Sequence, residues 1–200
     1  MKSVLISIQP KWCELIANGK KTIEVRKSRP KLETPFKVYI YCTYGNEKEN
    51  YCVGKRGKVI GEFVCDRIYS TLLLSTDGGS ADLRRQYYLI GENDKIIWKF
   101  WRESCIQPEE LAQYINQGEM CYGWHISKLK IYDKPKELRE FTKACPDKYR
   151  YCQGCKYGFY NISSDEEEYA MYHGGQYDWF ETVCTNIITR PPQSCCYVEE

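Results

Sequence analysis

Apolar and polar positions near the start of the chain follow a pattern that predicts a strand, a short helix and a second strand. Residues 4–8 form an apolar run typical of a buried strand. Pro10 then stands where a helix of about ten residues would begin, and Gly19 stands where it would end. Residues 22–27 alternate between apolar and polar side chains, which predicts a strand with one charged face.

The rest of the chain predicts more strands and two further helices. Strands are expected over residues 37–43, 58–68, 122–132 and 195–199. From residue 70 to residue 118 the pattern is helical instead, and Pro108 begins the second of two helices there. Leu83, Tyr87 and Ile90 share one face of the first helix. Strands at both ends, with few strand–helix alternations, favour an α+β fold: a small, mostly antiparallel β-barrel with flanking helices.

Composition excludes several classes of protein. Hydrophobic residues make up 42% of the 200 residues and the formal net charge is +2, so the chain is not an intrinsically disordered one. No apolar run approaches the roughly 18 residues that a membrane-spanning helix needs. The first residues have no small-residue cleavage site of the kind found in signal peptides. We therefore expect a soluble, cytoplasmic protein with no membrane partner.

The near-neutral total hides a marked charge asymmetry. Residues 1–60 carry thirteen Lys and Arg against five Glu, a net charge of +8, whereas residues 61–200 carry sixteen basic and twenty-two acidic residues, a net charge of −6. A locally basic surface attracts polyanions such as nucleic acids even when the total charge is small. The alternative is a solvated surface of mixed lysines without a ligand.

Residues 142–189 differ in composition from the rest and are predicted to be an insertion. They are rich in Tyr, Gly, Cys and acidic residues and show almost no aliphatic periodicity. The main domain would then consist of residues 1–141 together with residues 190–200. A third possible role for the protein follows from this segment, because it could dock a protein partner while the barrel serves as its scaffold.

Four of the twelve cysteines in the chain are candidate zinc ligands: Cys145, Cys152, Cys155 and Cys184. The Cys-x-x-Cys spacing suits two corners of a tetrahedral site, and two further thiolates would complete it. A segment that buries little apolar surface gains most from a metal, so the predicted zinc is structural. A redox pair and chance spacing are the alternatives.

The junction between the first helix and the following strand concentrates charged and polar side chains. Alternation puts Thr22, Glu24 and Arg26 on one strand face, with Lys20 and Lys21 at its entrance. Such a group could bind a phosphate or a base edge, or let a lysine and a carboxylate exchange a proton. The alternative is an Arg–Glu pair that only braces the strand.

These residues carry a resemblance to a known family. Residues 7–10 (SIQP) and 19–26 (GKKTIEVR) resemble the opening of ASCH domains, which belong to the PUA-like superfamily. Closing strands of longer ASCH-like proteins from phages and their bacterial hosts are similar to residues 122–126, 131–135 and 191–198. The resemblance covers residues 3–141 and 190–199.

The resemblance implies a PUA-like barrel with a cleft between the first helix and the sheet, and a module that binds RNA or a nucleotide-like ligand. Trp12 and Trp124 are expected to pack in the core, which leaves His125 facing the solvent or the cleft. The candidate ligand-binding residues are Lys20, Lys21, Thr22, Glu24, Arg26 and His125. Phosphate or base edges would contact the lysines and the arginine, and the glutamate would orient one of these cations or accept from an exocyclic amine.

An enzymatic alternative follows from the same resemblance. One branch of the family hydrolyses the acetyl amide of acetylcytidine, using a lysine and a threonine from this stretch and a glutamate from a later helix. The lysine falls on Lys21 and the family's arginine on Arg26, but the threonine position holds Glu24. A small amidohydrolase acting on an acylated nucleoside would then use Lys21 as base or nucleophile and Glu24 as proton shuttle.

Overall fold

The computed structural model describes residues 2–45, 51–76, 86–91, 93–115, 119–143 and 187–199. In these ranges the chain forms a mixed sheet with three α-helices and one short 3-10 helix. The strands are β1 (Lys2–Ile8), β2 (Ile23–Arg26), β3 (Phe36–Cys42), β4 (Lys58–Thr76), β5 (Gln86–Ile90), β6 (Met120–Lys136), β7 (Thr142–Lys143) and β8 (Cys195–Glu199). The helices are α1 (Pro10–Ala17), α2 (Asp94–Ser104) and α3 (Pro108–Tyr114), and the 3-10 helix is η1 (Leu138–Glu140).

The sheet is mostly antiparallel, as predicted. Its strands follow the order β2-β6-β4-β3-β1-β8-β7, and β5 pairs with β4 outside this order. Among the pairings of the described residues only that of β1 with β3 is parallel. In the part of the chain that the structure describes, β2 and β7 are the two ends of the order, so closure into a barrel is not confirmed.

The predicted elements at both ends of the chain are confirmed. Pro10 begins α1, and Gly19 follows the helix with a φ of 68° that glycine adopts without strain. The strand predicted over residues 195–199 is β8. In the middle of the chain, the helix predicted to begin at Pro108 is α3.

The helix predicted to include Tyr87 and Ile90 is wrong, whereas Leu83, the third residue of its predicted face, lies outside the described residues. Residues Gln86–Ile90 form strand β5, which pairs with β4. The same pattern also fits a period of two, because Leu89 is buried while Tyr88 and Ile90 are exposed. The strand was expected to end near residue 68, but β4 continues to Thr76. Its last residues pair with residues 86–90, and this pairing favours the strand over the helix there.

Two apolar clusters hold the helices against the sheet. The first lies between α1 and the strands and includes Ile6, Phe63 and Trp124. Phe100 of α2 anchors the second cluster, which also contains Ile23 of β2. A Cβ at Gly123 would come within 2.8 Å of the side chains of both residues, so this glycine allows α2 to approach the sheet closely.

The two ends of the predicted insertion lie next to each other. Thr142 forms an isolated bridge with Ile187, and the amide of Ile188 donates to the carbonyl of Phe141 at 2.9 Å. The four cysteines predicted to bind zinc, and the surface predicted to dock a partner, lie outside the described residues and stay predictions. Within the described ranges, no helix is long and apolar enough to span a membrane.

Candidate functional site

A cleft of about 590 Å³ opens where the end of β1, the start of α1, β2 and α3 meet. Its walls come from segments far apart in the chain, since a residue of the loop before β8 also lines it. The lining residues are Ser7, Ile8, Gln9, Trp12, Lys21, Glu24, Val25, Arg26, Thr43, Ile106, Glu110, Gln113, Tyr114 and Gln193. Three of the predicted ligand-binding residues, Lys21, Glu24 and Arg26, therefore come together here.

The end of α1 delivers Lys21 to the cleft. After Gly19 the chain turns back, and the amides of Lys20 and Lys21 both donate to the carbonyl of Leu15, at 2.9 and 3.1 Å. This closed turn leads directly into β2. Strand alternation places Glu24 and Arg26 on one side of β2. Lys21 precedes the strand, and its ammonium reaches the same side, 3.6 Å from Glu24 Oε2.

Lys21 is almost completely buried, with 2% of its surface exposed. Its ammonium donates to the carbonyl of Ser104 at 2.7 Å and so provides a hydrogen-bond donor for the carbonyl of the last residue of α2. The ammonium lies 3.6 Å from Glu24 Oε2. The ammonium also lies 4.9 Å from the centre of the Trp12 ring. Burial lowers the pKa of Lys21 from its ordinary value, although the nearby Glu24 opposes this shift.

Arg26 links three separate segments of the chain. Its Nη1 donates to the carbonyl of Ser7 at 3.0 Å and lies 3.5 Å from Glu24 Oε1. Its Nη2 donates to the carbonyl of Ser194 and, at 3.1 Å, to the hydroxyl of the same residue. Glu24 therefore lies between two buried cations. Among the described residues no acceptor is present for the buried Nε of Arg26.

Lysines also lie against the two aromatic rings that line the cleft. The ammonium of Lys11 is 4.4 Å from the centre of the Trp12 ring and 2.6 Å from a carboxylate oxygen of Glu110. Lys27 lies 5.2 Å from the centre of the Tyr114 ring. The charged residues that line the cleft are two cations, Lys21 and Arg26, and two carboxylates, Glu24 and Glu110, so Lys11 and Lys27 beside the rings add positive charge to a balanced set.

Lys20, Thr22 and His125 are not among the described residues that line the cleft. Lys20 is exposed, and the hydroxyl of Thr22 donates to Glu103 Oε2 at 3.1 Å. His125 Nδ1 lies 2.7 Å from Asp66 Oδ1. Burial acts to raise the pKa of Asp66, but the hydrogen bond and charge of His125 outweigh it and lower that pKa. Trp124 is 1% exposed, as expected of a core residue.

Sequence reasoning missed most of the neutral side chains in the cleft. Trp12 packs against both apolar clusters, as expected of a core residue, but it also lines the cleft. Gln9, Gln113, Tyr114 and Gln193 were not predicted as site residues at all. Each lies at an ordinary polar or helix-end position, so no local pattern marks it before the chain is folded.

The burial of Lys21 predicts that stability rises with pH. Because its folded-state pKa lies below the ordinary 10.5, the unfolded chain binds more protons between the two values. The free energy of unfolding of the wild type, relative to a Lys21→Met variant, should therefore increase over that interval. Urea denaturation from about pH 7 to about pH 10 measures this difference. Lys95→Met is the control, because Lys95 is exposed. If the difference in the free energy of unfolding between the wild type and Lys21→Met stays constant or falls as pH rises, the pKa of Lys21 is not lowered.

Known proteins are similar to this chain over nearly its whole length. The model of the ASCH domain family matches residues 6–188. A crystal structure of an ASCH protein from Zymomonas mobilis has a TM-score of 0.51 at 15% sequence identity, covering 99% of this chain and 88% of that chain. A single-substitution variant of that protein has a TM-score of 0.53 at 16% identity, with coverage of 100% and 92%. At these identities the likeness concerns the fold alone. No curated protein sequence matches this chain.

Proposed function

Because the chain belongs to the ASCH domain family, we propose that it binds RNA or a nucleotide-like ligand in the cleft lined by Lys21, Glu24 and Arg26. ASCH domains are a PUA-like family often linked to RNA binding. The observation that carries the proposal is the cleft itself, where this buried charged group meets the aromatic side chains of Trp12 and Tyr114. Charge, stacking surface and amide groups are the components that nucleotide recognition needs.

The size of the cleft favours one unpaired nucleotide over a duplex. Its volume of about 590 Å³ lies within the range of roughly 300–1,000 Å³ that is typical of small-molecule sites. Bases in a double helix are stacked and paired, so a pocket of this size receives a base only after it leaves the stack. The preferred RNA is therefore single-stranded.

Charge and stacking have separate roles in this proposal. Lys11 and Lys27, at the edge of the cleft, are placed to contact phosphates, because their ammonium groups are only partly engaged by aromatic rings and by Glu110. Tyr114 is 37% exposed and supplies a ring on which a base could stack. The amides of Gln9, Gln113 and Gln193 carry both donors and acceptors, as base edges do.

Substituting Tyr114 tests the proposal with little risk to the fold. Tyr114→Ala is expected to weaken binding of a fluorescent single-stranded RNA by about tenfold, because one stacking contact is lost. Fluorescence anisotropy across a salt series measures the affinity, which should fall as salt rises because phosphates are contacted. Tyr88→Ala is the matched control, since Tyr88 is 41% exposed on β5 and does not line the cleft.

The outcomes separate the site from non-specific attraction. Equal losses in the Tyr114 and Tyr88 variants would place binding elsewhere and overturn the proposal. Competition by nucleoside monophosphates would show that a single nucleotide occupies the cleft. A duplex that binds as tightly as the single strand would contradict the argument from the size of the cleft.

The second candidate is hydrolysis of an acylated nucleoside, which the lowered pKa of Lys21 favours. A buried lysine that loses its proton more easily, 3.6 Å from Glu24, has the character of a general base with a neighbouring proton carrier. Mass spectrometry of acylated nucleosides incubated with the protein tests for a deacylated product. Lys21→Ala should abolish such turnover, whereas it should weaken RNA binding only by a few-fold.

A further inference from the structure

The most exposed aromatic side chain among the described residues is that of Trp98 in α2, which is 76% exposed. The helix does not use this ring to pack against the sheet. Phe100 belongs to the apolar cluster beneath α2, and Ile96, Ile97 and Trp101 pack against that cluster. Indole rings are large and apolar, and folded proteins usually cover most of their surface. Trp98 does not line the cleft, so the proposed nucleotide site leaves its exposure unexplained.

Two basic side chains accompany the exposed ring. Lys95 lies three residues before Trp98 and Arg102 four residues after it, a spacing that places all three on one side of α2. Lys95 and Arg102 are both exposed, and Arg102 donates to Glu103 Oε1 at 3.1 Å from one end of its guanidinium. Asp94 is the remaining exposed residue of α2, and it lies in the first turn, where a carboxylate interacts favourably with the helix dipole.

This combination fits single-stranded nucleic acid better than a protein surface. A protein interface is built around a core of several apolar side chains that are buried together. On α2, however, every exposed residue other than Trp98 is charged. An aromatic ring flanked by cations is the arrangement on which a base stacks while the neighbouring phosphates are neutralised.

The helix that carries Trp98 leads into the cleft. Its last residue, Ser104, accepts the hydrogen bond from Lys21, and Ile106, two residues further on, lines the cleft. Trp98 precedes Ser104 by six residues, which corresponds to about 9 Å along the axis of an α-helix. Single-stranded sites that combine stacking rings with basic residues hold about 4–16 nucleotides. One strand is therefore long enough to occupy both places.

We propose that α2 carries a second binding site for single-stranded RNA, in which a base stacks on Trp98 while Lys95 and Arg102 neutralise phosphates beside it. The strand whose unpaired nucleotide enters the cleft continues onto this helix, and this continuity rests on the proposed function. A nucleoside monophosphate is too short to reach both places and occupies the cleft alone. The α2 site therefore adds affinity that depends on the length of the strand.

Trp98→Ala tests the proposal with a fluorescent eight-nucleotide RNA of mixed sequence. Fluorescence anisotropy should show about tenfold weaker binding, because one stacking contact is lost. Trp98→Phe should recover most of this loss, since a phenyl ring also offers a face to a base. Isothermal titration calorimetry should show that a nucleoside monophosphate binds Trp98→Ala as tightly as it binds the wild type. Tyr88→Ala is the matched control, because it removes another exposed ring and lies outside α2.

The salt dependence tests the phosphate contacts separately from the stacking. The slope of the logarithm of the affinity against the logarithm of the salt concentration should become shallower by roughly 0.7 in Arg102→Met, the contribution of one phosphate contact on a single strand. Trp98→Ala should leave this slope unchanged, because it removes no charge. An unchanged slope in Arg102→Met would overturn the phosphate contact at this residue.

The outcomes separate the α2 site from the cleft. If Trp98→Ala binds the RNA as tightly as Tyr88→Ala does while Tyr114→Ala binds it more weakly, the α2 site is overturned and the cleft remains. If Trp98→Ala alone weakens binding, the α2 site remains and the cleft is overturned. Weaker binding of the monophosphate to Trp98→Ala would contradict a site separate from the cleft. An RNA that does not bind the wild type would overturn both sites.

Discussion

Glu24→Ala is expected to lower the free energy of unfolding by about 3–5 kcal/mol. The carboxylate is 5% exposed and lies 3.6 Å from the ammonium of Lys21 and 3.5 Å from the guanidinium of Arg26. Without it, two cations that are only 2% and 5% exposed stay buried with no carboxylate between them. Urea denaturation followed by circular dichroism at pH 7 measures the loss.

Two comparisons make this expectation specific. Glu33→Ala removes an exposed carboxylate and should change stability by no more than about 0.5 kcal/mol. The loss in Glu24→Ala should also shrink at alkaline pH, because Lys21 has a lowered pKa and gives up its proton there. If Glu24→Ala costs no more than Glu33→Ala, the two cations do not depend on the carboxylate for their stability.

Arg26→Met is expected to cost about 2–4 kcal/mol and to loosen the segment before β8. The substitution keeps an unbranched apolar side chain but removes the donors to Ser7 and Ser194. Ser194 immediately precedes β8, which pairs with β1, so its attachment to Arg26 helps to hold the last strand. Urea denaturation measures the stability, and limited digestion with a broad-specificity protease should reveal new cleavage near residues 190–194.

Arg29→Met is the matched control for this prediction. Arg29 is exposed in the loop that follows β2, so the same chemical change should leave both stability and protease resistance almost unchanged. Unfolding that becomes easier in Arg26→Met without new cleavage near residues 190–194 would show that other contacts hold the last strand. Equal effects of the two substitutions would contradict the bridging role.

Much of the fold follows from local patterns in the sequence. Pro10 at the first helical position and glycine after the last turn define α1, because each residue type has a backbone preference that operates without distant contacts. The alternation along β2 correctly predicts that Glu24 and Arg26 share a side, since side chains alternate in any strand. The group of charged side chains at the junction of α1 and β2 could therefore be predicted from the sequence alone.

The central region shows where local patterns fail. Residues 86–90 fit a helical face and a strand face almost equally well, and pairing with β4 selects the strand. The long extension of β4 to Thr76 has the same cause, because β6 offers it a partner as far as Leu72 and β5 as far as Thr76. Strand pairing between distant segments is a property of the folded chain.

The sequence by itself determined the family resemblance, the ends of α1 and the group of charges that follows it. Only the tertiary structure decided what those charges contact. The acceptors are the carbonyl of Ser104, 83 residues from Lys21, and Ser194, 168 residues from Arg26. Periodicity reports the direction of a side chain within its own element, but burial, pKa and hydrogen-bond partners depend on what the rest of the chain brings to that face. The cleft therefore exists only in the folded protein.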